Sequence, residues 1–183
     1  MKLILGQTAR DFKVKNIYGQ EISLKTYSEN GKKVLLTFFR NTACPFCNLR
    51  VHELTKSYEK WKDKMEMIFF FDSKQETILR STFHSGISPI PLISDPQRLI
   101  YEEYGIEKSL LKMMNTFVQK GAFALADQSK SLNLVTPMTK NDISISIPAD
   151  FLINLDFKIE NLHYGKHLAD HLEISKIKEF AEK

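Results

Sequence analysis

Two long apolar runs organise the chain. Val34–Phe39 is broken only by Thr37, and Met65–Phe71 is broken only by Glu66. Runs of this length predict strands covered on both faces, as in the interior of a parallel sheet. Between them the period changes. Cys47, Val51, Leu54, Tyr58 and Trp61 recur at i, i+4, i+7, i+11 and i+14, the apolar face of one helix. Arg50, Glu53, Lys56 and Lys60 occupy the opposite face, which is expected to be solvated. Asp11–Leu24 alternates loosely around Gly19 and predicts a short hairpin. Lys74–Phe83 has a helical pattern, Pro91–Ser94 is a short extended piece, and Arg98–Tyr104 is a brief helix stopped by Gly105.

The succession strand, helix, strand, helix argues for parallel pairing through crossovers. Ile145–Ile153, interrupted by Pro148, and Ile159–Tyr164 flank a tight turn at Asn154–Phe157. They predict an antiparallel hairpin at the far side of the sheet. Ile174–Phe180 closes the chain as a helix with Ile174, Ile177 and Phe180 facing inward. The stretch 107–142 fits this scheme poorly. Leu110, Leu111, Met114, Phe117 and Val118 recur at helical spacing, Met113 and Met114 are expected to fill core space, and 128–139 is expected to be loop.

Composition narrows the class. The 183 residues are 43% hydrophobic and 26% charged, ordinary for one globular domain. The N-terminus MKLILGQTARDF lacks the longer apolar region of a secretory signal, and no run approaches the ~20 residues that span a bilayer. The expectation is a cytoplasmic protein without a membrane partner. Net charge is +4, but the 21 lysines are scattered and no basic cluster or nucleic-acid motif appears.

The chain has two cysteines, and both fall in Cys44-Pro45-Phe46-Cys47. A secreted disulfide scaffold or a structural zinc site would need more pairs. A single C-x-x-C near a β-α-β pattern points to redox chemistry. Cys44 lies at the start of a predicted helix, where unpaired N–H groups and the helix dipole favour a thiolate. Pro45 suits the first helical turn because its missing N–H costs nothing there. Cys47, one turn further on the apolar stripe, is expected to be the more buried. Cys44 is therefore the attacking residue and Cys47 the resolving one. Arg40, at the end of the preceding strand, either stabilises a thiolate or is a solvated strand-end charge. His163, His167 and His171 are spaced by four, but Gly165 argues against one continuous helix, and packing or capping roles are favoured over metal ligation.

These features resemble the thioredoxin fold, and the flanking stretches resemble its AhpC/TSA peroxiredoxin branch. Gly6-Gln-Thr-Ala-Arg-Asp-Phe12 resembles that branch's opening, with Arg10 where Pro is commonest. Pro91-Leu-Ile-Ser-Asp-Pro96 with Tyr104-Gly-Ile106 resembles its "PLLSDP … YGV" segment. Phe151-Leu-Ile-Asn154 with Phe157-Lys-Ile159 resembles its late hairpin. The resemblance covers most of 6–106 and 147–182, within one thioredoxin-like α/β domain over 1–183: a mixed sheet flanked by helices, an N-terminal hairpin and a helical insertion at about 107–146. It also exposes two departures. The family's Thr and Pro, counted back from Cys47, fall on Cys44 and Arg40, and counted from Cys44 they fall on Asn41 and Thr37; Thr42 lies close by. The family's late Arg falls on Pro148.

The resemblance implies that Pro148 is a thioredoxin-type cis-proline, with the backbone of Ile147 facing the dithiol and pairing with a substrate chain. The plainer role for Pro148 is the start of a strand. Asp150 is placed either near Cys47 as a proton acceptor or in a surface turn. The function expected is a cofactor-free thiol–disulfide oxidoreductase. Its partners are protein or small-molecule disulfides and a thiol reductant of the thioredoxin or glutathione type, and a homodimer is left open. The alternatives are a thiol peroxidase, and a metal-binding module built from Cys44, Cys47 and a distant His such as His163.

Overall fold

The computed structural model describes residues 1–87, 89–134, 136–137 and 143–183. A two-stranded hairpin, β1 (Lys13–Lys15) and β2 (Glu21–Ser23), leads into α1 (Leu24–Glu29). The alternating unit follows: β3 (Lys33–Phe38), α2 (Pro45–Trp61), β4 (Met65–Phe71), α3 (Gln75–Arg80), α4 (Thr82–Ser85), β5 (Leu92–Ser94) and α5 (Leu99–Glu103). Next come α6 (Leu110–Asn115), a 3-10 turn at Thr116–Val118, and α7 (Ala122–Ser131). The antiparallel pair β6 (Ala149–Ile153) and β7 (Ile159–Tyr164) and then α8 (Ile174–Glu182) end the chain.

The five main strands are ordered β5-β4-β3-β6-β7. β3 pairs parallel to β4 and antiparallel to β6, which makes it central and explains its unbroken apolar run. Side chains alternate between two cores. Leu35, Phe39, Met67 and Phe69 meet Val51, Leu54 and Trp61 of α2, with Ile177 and Phe180 of α8. On the other face Leu36, Phe38, Phe70 and Phe151 pack with Phe12, Tyr101 and Tyr104. The Phe38 ring lies 4.9 Å from that of Phe70 and 5.0 Å from that of Tyr101. α5 stops where Gly105 takes φ +70°, and any Cβ there would meet the Lys2 Cα at 2.8 Å.

Several expectations change. The 74–83 helix is two short helices, because Ser81 leaves helical geometry to cap α4 through its hydroxyl. Residues 128–131 belong to α7 and not to a loop; positions 135 and 138–142 lie outside the described residues. The helical spacing at 110–118 is real, yet its apolar side chains face outward, with Leu111 79% and Val118 76% exposed. Met113 packs on the core as expected, but Met114 does not. Arg50, read as solvated, is buried: Nη2 donates to the Leu172 carbonyl, and Nη1 sits 3.5 Å from Glu53. Helical periodicity finds the face of α2, but the segment before α8 folds over that face's edge and covers Arg50.

Candidate active site

β3 and β4 run parallel, so their C-terminal ends and the start of α2 converge at one edge of the sheet. Ligand and reaction sites of α/β sheets concentrate at such edges. Cys44 is the N-cap of α2, with extended dihedrals of −77° and 112°, and Pro45 opens the first turn. The Cys44 sulfur accepts from the Cys47 backbone N–H at 3.4 Å, so a sulfur replaces the usual cap oxygen. Both thiols are free.

The electrostatics separate the two sulfurs. Burial pushes the Cys44 thiol up. The Cys47 S–H, the Arg40 guanidinium charge, the Cys47 N–H and a hydrogen bond from Arg40 outweigh it, bringing Cys44 down to about 7. Cys47 moves the other way. Burial and the neighbouring Cys44 raise it, against the Arg40 backbone N–H and charge. Arg40 thus touches both thiols, and its Nε also donates to the Ser144 carbonyl at 2.6 Å. It is held at the site and is not a free strand-end charge.

Exposure does not separate the cysteines as the sequence suggested, since Cys44 is 1% and Cys47 0% exposed. Leu134, just after α7, lies over the first turn of α2. Asn48 Nδ2 donates to the Leu134 carbonyl at 2.6 Å and to the Thr42 carbonyl at 2.9 Å. Thr42 is buried, its N–H donates to Ser73 Oγ at 3.2 Å, and its own hydroxyl has no partner among the described residues. It shapes the loop through its backbone and contributes no donor to either sulfur.

Pro148 precedes β6, and its carbonyl accepts from Gly165 N–H at 2.9 Å. A Cβ on Gly165 would meet that oxygen at 2.9 Å and the Asp170 carbonyl at 2.8 Å, so this approach requires glycine. The expected role of Ile147 as a free pairing edge is overturned. Its N–H already donates to the Glu107 carbonyl at 3.1 Å, and the Ile145 carbonyl accepts from Ser109 at 3.0 Å. The start of the insertion occupies the edge that an incoming chain would need.

Asp150 is corrected as well. It lies inside β6, fully buried, paired in register with Thr37. Its carboxylate accepts from Thr37 Oγ1 at 2.9 Å and Leu172 N–H at 2.8 Å, with His171 Nδ1 3.0 Å away. Burial raises its pKa, but His171, Arg50 and the Leu172 N–H win, holding it at about 2. So firmly ionised a carboxylate is a poor proton acceptor at neutral pH, and its role is to tie β3, β6 and the 171–172 segment together. His163 pairs with Asp170 at 2.9 Å, and among the described residues no group of three or more His, Cys, Asp or Glu could hold a metal ion.

Sequence reasoning missed Asn48, Asp72 and Ser144, and it named His171 for a packing or capping role without its partner Asp150. Only Asp72 carried a signal, as the first charged residue after a buried parallel strand.

The AhpC/TSA family profile matches residues 5–161. Over 67 residues the chain is 36% identical to "Putative peroxiredoxin bcp" of Helicobacter pylori, covering 37% of this chain and 43% of that protein. The match therefore spans under half the length of that curated relative. Among solved structures, the thiol peroxidase from Chromobacterium violaceum superposes with a TM-score of 0.65 at 12% identity, over 100% of this chain and 88% of that one. The peroxidoxin BcpB from Mycobacterium tuberculosis gives 0.65 at 14%, over 97% and 94%. At these identities the two structures establish the shared thioredoxin-type fold, and the profile match over most of the sequence establishes that the chain belongs to the AhpC/TSA family.

Proposed function

We propose that the chain is a thiol–disulfide oxidoreductase in which Cys44 attacks and Cys47 resolves. The observation that carries this reading is the N-cap position of Cys44 beside Arg40, with its pKa lowered to about 7 while that of Cys47 is raised. The Cys44 thiolate attacks one sulfur of a substrate disulfide, forming a mixed disulfide and releasing the other half as thiolate. Cys47 then attacks the Cys44 sulfur and expels the second half, its proton going to the departing thiolate. Two electrons pass to the substrate, leaving a Cys44–Cys47 disulfide. A thiol reductant of the thioredoxin or glutathione type restores the dithiol. Pro148 and its bond to Gly165 fix the start of β6 in this reading.

A second reading, thiol peroxidase, is favoured by the family and by Arg40 itself. Peroxide cleavage needs fixed donors where charge develops on the leaving oxygen, and one such donor is worth about 10²–10³ in rate. Pro148 stands at the family's late Arg position and the Thr42 hydroxyl reaches neither sulfur, but Arg40 is a donor beside Cys44. Parallel assays of model-disulfide reduction and hydrogen peroxide consumption, with thiol titration before and after, separate the readings. Rapid disulfide reduction with peroxide turnover near that of free cysteine is expected. A peroxide rate several orders above free cysteine would overturn the first reading in favour of the second.

A further inference from the structure

A buried carboxylate lies just behind Arg40. Asp72 follows β4, and its side chain is 4% exposed. Its backbone N–H donates to the Arg40 carbonyl at 3.1 Å. Its Oδ2 accepts from the Ser144 hydroxyl and, at 2.5 Å, from that of Ser146. Arg98 supplies countercharge, with Nη1 3.8 Å from Oδ2, and is itself fixed by Ser146 and by the Ile106 carbonyl at 2.8 Å. Burying a carboxylate costs several kcal/mol unless partners compensate. Here one of the compensating partners, Ser144, also contacts the catalytic arginine. Its hydroxyl donates to Asp72 while its carbonyl accepts from Arg40 Nε at 2.6 Å. A continuous path therefore runs from Asp72 through Ser144 and Arg40 to Cys44.

We propose that Asp72 is a positioning residue for the dithiol: acting through Ser144, it holds the Arg40 guanidinium at the Cys44 sulfur. The proposal rests on the reading of Cys44 as the attacking thiol. Two effects of opposite sign follow. The Ser144 tether keeps the guanidinium beside the sulfur and favours the thiolate. The Asp72 charge, facing the same guanidinium, draws on it and disfavours the thiolate. The titratable and charged groups around Cys44 and Asp72 are Arg40, Cys47, Arg98 and Tyr101, with Lys108 on the wall of a cavity of about 330 Å³ shared with Asp72. Ser144, which is uncharged, hydrogen-bonds both Asp72 and Arg40.

The test is a pH titration of ultraviolet thiolate absorbance on the reduced full-length protein. Ser144→Ala keeps the carbonyl that accepts from Arg40 but removes the hydroxyl that anchors this segment to Asp72, and it keeps the Asp72 charge. The guanidinium is then held less firmly, and the Cys44 midpoint is expected to rise by about 0.5–1 unit, a three- to tenfold loss of thiolate below the midpoint. Ser144→Thr, which keeps the hydroxyl, is expected to match wild type. Asp72→Asn keeps an acceptor for Ser144 and removes the charge, so the midpoint is expected to fall. A merely loosened fold would move Ser144→Ala and Asp72→Asn the same way, and that result, or no movement in either, overturns the proposal. Should Asp72→Asn fail to fold, the Ser144→Ala and Ser144→Thr pair decides, because a rise that Thr does not restore also overturns it. A wild-type midpoint at the ordinary thiol value overturns the reading of Cys44 itself, and so is distinguishable from failure of the Asp72 relay alone.

Discussion

Replacing Arg40 with Gln removes the guanidinium charge and keeps a polar side chain. Cys44 sits at about 7 against an ordinary value of 9.0 even though burial works upward, so the lowering influences together exceed two units. Arg40 supplies two of the four, its charge and a hydrogen bond, while both contributions from Cys47 remain in the variant. A rise of about one unit is the conservative expectation, worth about 1.4 kcal/mol. A less acidic thiolate is also the better nucleophile, by about threefold per unit at a Brønsted slope of 0.4–0.5. Combining ionised fraction with nucleophilicity, Arg40→Gln should alkylate Cys44 about twofold slower than wild type at pH 7 and about threefold slower at pH 6. It should be two- to threefold faster at about pH 9, with the profiles crossing near pH 7.6. The assay is limiting iodoacetamide over this pH range, with the modified cysteine assigned by mass spectrometry. Profiles that never cross, or that coincide, would show that Arg40 does not set the acidity of Cys44.

Cys47→Ser should trap mixed disulfides with model substrates on Cys44, while Cys44→Ser should abolish exchange; intact-mass spectra that find adducts on Cys47 in the wild-type protein would reverse the roles. Asp150 has a folded pKa of about 2 against an ordinary 3.8, so its stabilisation, about 2 kcal/mol, is present above pH ~4 and lost as pH falls toward 2. Asp150→Asn should flatten that acid limb in chemical denaturation, and an unchanged limb would contradict the assignment. Gly165→Ala must push its Cβ against the Pro148 and Asp170 carbonyls, so it should lower the melting temperature and slow disulfide exchange together. Leu54→Ala, in the fully buried core beneath α2, should cost about 2–5 kcal/mol, while Leu111→Gln on the exposed face of α6 should stay within about 0.5 kcal/mol by denaturant midpoint.

Local pattern determined much of this protein. The uninterrupted apolar runs of β3 and β4 required a doubly covered position, and the stripe from Cys47 to Trp61 required a helix packed on the sheet. Pro45 between the two cysteines announced a helix start with a thiol at its end. Each of these rests on neighbours within a turn or on strand alternation, which the order of residues encodes directly. The rest depended on contacts between distant segments. Arg50 lies on what periodicity makes the solvent face, and only the loop before α8 buries it. Asp150 is two residues from Pro148 in sequence, but its acidity comes from His171 and Arg50. Ile147 lost its free edge to Glu107, brought there by the insertion. The difference in acidity between two equally buried thiols arises first from the hydrogen bond between them, which lowers Cys44 and raises Cys47, with the Arg40 charge beside both. Charge–charge and hydrogen-bond energies depend on distances across the fold, and those distances are fixed only when remote segments pack together.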